Sequence, residues 1–105
     1  MRPRGRVLTA VKSHFSAAHR CKETGEMHGH TWDVTVWFKN INRVDARVFK
    51  QQLESDLARW DHKTLPDELA WGEDIAEDLA KRFLVVAVEV SRPRDGISAR
   101  WELEE

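Results

Sequence analysis

Two alternating stretches open the chain. Val7, Thr9, Val11, Ser13 and Phe15 recur at every second position, the period of a half-buried strand. If that strand runs on, Phe15, Ala17 and His19 share one face. The second stretch is longer: His28, His30, Trp32, Val34, Val36 and Phe38 alternate without a break, so two histidines extend an apolar face. Residues 20–27 between them hold Gly25 and no apolar period, which predicts a loop or turn.

The period then changes. After Asn40-Ile41-Asn42-Arg43, Asp45 is a candidate N-cap for a helix carrying Ala46, Phe49, Leu53, Leu57 and Trp60 along one side, at intervals of three and four. Pro66 and Gly72 bracket a connection. Glu73 and Asp74 then supply negative charge where a second, short helix starts, with Ile75, Leu79 and Phe83 as its buried stripe. Leu84 to Val90 is β-rich, Arg92-Pro93-Arg94-Asp95-Gly96 reads as a turn, and Ile97, Ala99, Trp101 and Leu103 alternate to the end. The predicted order is ββααββ, an α+β domain with an antiparallel sheet and both helices on one face.

A length of 105 residues suits one domain over 1–105, with no repeat or linker. So short a chain buries only about two thirds of its unfolded surface, and a wide pocket inside one copy would consume its core, which favours self-association. The 17 basic and 18 acidic side chains are interspersed, without the basic stripe that nucleic-acid binding needs. Met1-Arg-Pro-Arg-Gly-Arg6 resembles a basic signal-peptide start, but the apolar stretch after it ends at Lys12, so no export signal is expected. The longest apolar run, Phe83 to Val88, falls well short of the roughly 20 residues that cross a bilayer. Cys21, the single cysteine, has no internal disulfide partner, and the expected compartment is the cytoplasm.

The chemistry gathers around the histidines. Four of the five fall within residues 14–30, and His28 and His30 as alternate strand residues point the same way, about 6.5 Å apart. Two imidazoles at that spacing can share a zinc ion. A third from the neighbouring strand, His19, leaves the fourth tetrahedral position open, as in catalytic zinc sites. The competing reading is an ordinary surface pair; Gly29 between the histidines and the dry face of Trp32, Val34 and Val36 weigh toward metal. Asp61-His62, at the end of the first helix, is either a carboxylate-oriented base or a solvated helix terminus. Glu89 interrupts a run of apolar strand residues; it either meets a ligand bearing amino donors or lies on an edge or solvent face.

Phe15-Ser-Ala-Ala-His-Arg20, His28-Gly-His30 opening a strand, Asp61-His62-Lys-Thr-Leu65, and Glu89 on a late strand occur in the order that resembles the 6-pyruvoyl and 6-carboxy tetrahydropterin synthase family. Val44-Asp45 looks like a shortened form of that family's Val-x-Asp-Phe helix entry. Gly72-Glu73-Asp74 looks like its Pro-Thr-x-Glu-Asn segment without the Pro-Thr. The resemblance implies a tunnelling T-fold in which trimeric barrels stack into a homohexamer with sites between subunits. It implies zinc on His19, His28 and His30, a pterin ring anchored by Glu89, and a proton relay through Asp61 and His62. The implied substrate is 7,8-dihydroneopterin triphosphate, converted to 6-carboxytetrahydropterin plus acetaldehyde on the route to queuosine and other deazapurines, or to the 6-pyruvoyl product by loss of triphosphate.

The chain departs from the pattern where the family carries a cysteine four residues before the first histidine of His-Gly-His: that position is Thr24. Cys21 lies seven residues before His28 and serves as base only if the shortened loop folds back. Glu23 and Glu26 are rival bases, as in relatives that cleave dihydroneopterin in an aldolase-like reaction. A third reading is a pterin-binding module that has lost its base.

Overall fold

The structure, a computed structural model, describes residues 3–104. β1 (Thr9–Arg20) and β2 (Met27–Phe38) are twelve residues each and pair antiparallel along their whole length, with Phe15 opposite Trp32, Ala17 opposite His30 and His19 opposite His28. The predicted alternation is borne out. Phe15, Trp32, Val34 and Val36 are buried, while Lys12, His14 and Asp33 between them are exposed.

The chain leaves the sheet for α1 (Ala46–Leu57). Asp45 caps it as the sequence predicts, its Oδ1 accepting the Arg47 N–H at 2.9 Å. The helix ends at Leu57 rather than reaching Trp60, but Trp60 stays buried in the turns that follow and its ring lies 5.5 Å from that of Phe15. α2 (Gly72–Arg82) starts with Glu73 and Asp74 in its first turn and ends with Lys81 and Arg82 in its last, each charge opposite to the helix dipole. Leu53 and Leu57 of α1 and Ile75, Ala76 and Leu79 of α2 join the inward residues of the sheet in one apolar cluster. Both helices therefore cover the same face.

The sheet has five strands, in the order β3-β1-β2-β4-β5. β4 (Ala87–Arg92) pairs antiparallel with β2 and with β5 (Ile97–Glu102). The wholly antiparallel sheet expected from the sequence needs one correction. β3 (Lys63–Thr64) runs parallel to β1 beside Ala17 and Ala18, which makes the sheet mixed and the order ββαβαββ. Backbone bonds dock it there, from His62 N–H to Ser16 O (2.6 Å) and from Leu65 N–H to Ala18 O (2.7 Å). Two residues are too few to show a period, so no pattern announces this strand. β4 also runs two residues further than predicted, through Arg92, before the turn closes on Gly96 in a left-handed conformation (φ 68°) that suits glycine. No helix is long and apolar enough to cross a membrane.

Candidate active site

The register that opposes His19 to His28, and Ala17 to His30, brings three imidazoles to one end of the helix-covered face. His19 is buried, His30 is partly buried and His28 is exposed. Trp32 forms their floor, its ring edge-on to His19 and His30 at 5.5 and 5.6 Å.

The partners of each ring assign its tautomer. His19 Nδ1 lies 2.7 Å from Ala70 O, which can only accept, so Nδ1 carries the proton and Nε2 a lone pair. His30 Nδ1 lies 3.4 Å from the Asp95 carboxylate, which by the same reasoning leaves Nε2 bare. That Nε2 accepts from Arg92 Nη1 at 3.1 Å. Burial first, and then the Arg92 charge, hold the His30 pKa below its ordinary value, which keeps the ring neutral. The two Nε2 atoms thus face each other at 2.9 Å.

Two imidazole nitrogens this close are a donor pair that a cation can bridge. Nitrogens on one tetrahedral zinc sit about 3.3 Å apart, close to the observed separation, and a backbone carbonyl behind a histidine is the usual support for a metal ligand. The donors therefore fit a divalent ion in kind. As they stand they do not enclose one: His28 is turned outward, its Nε2 at 3.5 Å from Glu26 and its ring centre 6.2 and 6.4 Å from those of His30 and His19. Among the described residues, no group of three or more His, Cys, Asp or Glu side chains is placed to hold a metal. A metal site here requires the His28 ring to turn inward.

The loop before His28 folds back. Cys21 N–H donates to Glu26 O (2.8 Å) and Gly25 N–H to Cys21 O (2.7 Å), with Gly25 at φ 74°. Cys21 therefore lines a recess of about 270 Å³ together with His19, His28 and His30. Thr24 instead serves the turn, its Oγ1 accepting the Glu26 N–H at 3.2 Å. The Cys21 thiol donates to Glu23 at 3.1 Å, and this bond is the main reason the Glu23 carboxyl is held below its ordinary pKa. A glutamate acting as base would need the opposite shift.

Asp61 and His62 form a pair, with Asp61 Oδ2 at 3.0 Å from His62 Nδ1. Asp61 Oδ1 accepts the Ser16 N–H at 2.9 Å, which is the leading reason its pKa is lowered. His62 is exposed and its backbone is left-handed (φ 58°), a conformation uncommon outside glycine and enriched at functional sites. His62 and His30 line the same open groove of about 980 Å³, together with Lys63, Arg92 and Arg94. Gly29 lies in its wall, where a Cβ would meet nothing within 4 Å; the glycine leaves room in the groove and is not in close contact with another backbone.

Glu89 does not join this group within one copy of the chain. It stands in register with Thr35 and Arg100, on the face that carries no helices, because Val88 and Val90 on either side of it point into the core. The residue that the same strand does deliver to the histidines is Arg92, which the sequence reading assigns to a turn. The alternation Val88, Val90, Arg92 is the signal that finds it.

A model of the 6-pyruvoyl tetrahydropterin synthase family matches residues 9–89. The chain belongs to that family. The mixed five-stranded sheet with two helices agrees with the tunnelling T-fold of 6-pyruvoyl tetrahydropterin synthases. Within this 6-pyruvoyl tetrahydropterin synthase family member, the match takes in His19, Cys21, His28, His30, Asp61 and His62 and stops before Arg92 and Asp95. No curated protein matches the chain.

Proposed function

We propose that this tetrahydropterin synthase-like chain is a zinc-dependent lyase that converts 7,8-dihydroneopterin triphosphate to 6-carboxy-5,6,7,8-tetrahydropterin, a precursor of queuosine and other deazapurines. The observation that carries the reading is the close approach of the His19 and His30 Nε2 atoms, in a recess shared with His28 and Cys21, within a chain of this family. His19, His28 and His30 would hold the zinc, which when bound supplies Lewis acidity toward the hydroxyl oxygens of the substrate side chain. Ala70 O keeps the His19 lone pair directed into the site, and Asp95 does the same for His30.

Cys21, brought beside the histidines by the folded-back loop, is the proposed base that takes a proton from the side chain. His62, oriented by Asp61, takes up and returns a proton from the groove side. Glu23 and Glu26 are weaker choices: the Glu23 carboxyl is stabilised as the anion, and Glu26 lies beside His28. Because Glu89 lies on the helix-free face, any anchoring of a pterin ring by it is across an interface between copies, in keeping with a homohexamer of stacked trimers. The proposed compartment is the cytoplasm.

One observation favours a second reading. With Glu89 turned away and Thr24 in the family's cysteine position, the site of a single copy lacks two of the groups the family uses, as in a ligand-binding module without turnover. Product analysis separates the two. Zinc-loaded protein is incubated with freshly made 7,8-dihydroneopterin triphosphate and the mixture is read by mass spectrometry. Formation of 6-carboxytetrahydropterin supports the lyase; the 6-pyruvoyl or 6-hydroxymethyl product reassigns the branch, and unchanged substrate overturns the lyase reading.

A further inference from the structure

Three cavities meet at the histidines, and Arg92 lines all of them. They are the open groove with His62 and Lys63, the recess with Cys21 and His28, and a small pocket of about 140 Å³ walled by Trp32, Trp71, Val90 and Ile97. The guanidinium is positioned from three sides. Nε lies 3.5 Å from Asp95 Oδ2, Cζ sits 5.5 Å from the centre of the Trp32 ring, and Nη1 donates to His30 Nε2. These contacts engage two of its five N–H donors, so it is pre-organised with donors to spare.

The local charge does not follow from composition. The chain as a whole carries a formal charge of −1, yet the groove is lined by Lys63, Arg92 and Arg94 against the single carboxylate of Asp95. Cations so gathered beside the histidines suit an anionic ligand. A dication held by the histidines would add to the excess and repel the guanidinium, and an anionic oxygen seated between metal and Arg92 relieves both charges at once.

We propose that Arg92 is a specificity-determining residue of this site, and that the ligand presents to it an anionic oxygen group, carboxylate or phosphate, next to the histidine nitrogens. In its full form this rests on the metal reading above, and it then makes metal and anion cooperative, each raising the affinity of the other. Residues 9–89 bound the family match, so the assignment comes from the position of Arg92 and not from the family.

The test uses the cobalt(II)-loaded chain, whose visible absorption reports ligands at the metal, titrated separately with acetate and with methylphosphonate. The expected result is a saturable spectral change whose midpoint moves roughly 10- to 100-fold higher in Arg92→Ala and by less in Arg92→Lys, which keeps the charge and loses the fork. Cobalt affinity without anion is expected to hold or rise in Arg92→Ala, a change that misfolding would not produce. The anion with the lower midpoint names the group. Equal midpoints in wild type and Arg92→Ala, or no response to either anion, overturn the proposal. If the wild-type chain takes up no cobalt, the metal reading fails by itself. The same anions are then titrated against metal-free protein by calorimetry, where binding lost in Arg92→Ala supports the role of Arg92 and absence of binding overturns it.

Discussion

His19 and His30 present their Nε2 atoms to each other across 2.9 Å, and the second nitrogen of each ring is turned to an acceptor, Ala70 O for His19 and Asp95 for His30. Only one neutral tautomer of each ring satisfies those acceptors, and it leaves the facing atoms without protons. Arg92 donates to the same His30 Nε2 at 3.1 Å, which ties its guanidinium to the histidine pair.

His19 and His28 should therefore behave differently. His19→Ala removes a buried side chain and leaves Ala70 O unpaired, so it is expected to lose zinc and to cost about 1–3 kcal/mol of metal-free stability. His28→Ala, at an exposed position, is expected to weaken zinc binding by roughly 10-fold or more with a metal-free stability change within about 0.5 kcal/mol. Chelator competition and urea unfolding read the two effects. Undiminished zinc affinity in His28→Ala would remove that residue from the ligand set.

Cys21 is poised by a loop that the sequence leaves undecided. If its thiol is the base, Cys21→Ala is expected to lower kcat by roughly 100-fold or more while zinc content stays at the wild-type level. Glu23→Gln is expected to change kcat far less, since the Glu23 carboxyl is held in its charged form by the thiol it accepts from. Wild-type turnover in Cys21→Ala, or an equal loss in Glu23→Gln, would move the base elsewhere.

How far the site could be read from the sequence depends on the residue. Alternation from His28 to Phe38 places both histidines on the helix-covered face, and the structure has them there. The same rule, carried along Val88, Val90 and Arg92, turns Glu89 to the opposite face and Arg92 inward. Pro93 and Gly96 mark the turn so strongly that the strand reads as ending two residues early. Nothing local foretells β3, whose two residues pair with residues 46 positions earlier, nor the left-handed backbone of His62. Both are set by tertiary docking, which a window on the sequence does not contain.

Asp61 ties that docking to pH. The Ser16 N–H favours its carboxylate, so its pKa in the folded chain lies below the unfolded value of about 3.9. A group depressed on folding contributes stability above the unfolded pKa and loses it as pH falls toward the folded one. Asp61→Asn keeps an oxygen for Ser16 but does not titrate. Its urea midpoint is expected to fall less than that of the wild type between about pH 5 and pH 3. Parallel curves would mean that the bond to Ser16 contributes nothing through charge.

The last expectation concerns assembly. β5 is an edge strand, with Ile97 and Leu103 half exposed at its ends, and the sheet face bearing Thr35, Trp37 and Glu89 carries no helix. The Leu103 N–H donates inward to Val86 O at 2.8 Å, so by alternation the Arg100 N–H points outward, where a barrel would pair it with the next copy. Arg100→Pro deletes that outward donor and leaves the ladder to β4 intact. Light scattering is expected to find the wild type at roughly six times the 12.2 kDa chain mass and Arg100→Pro at a smaller size. Arg100→Ala, which loses the stacking of the guanidinium on Trp37 at 4.3 Å and its bond to Glu102 at 2.6 Å but keeps the outward N–H, is expected to keep the assembly. A wild type that runs as a monomer would leave Glu89 without a site to reach and would end its proposed part in ligand binding.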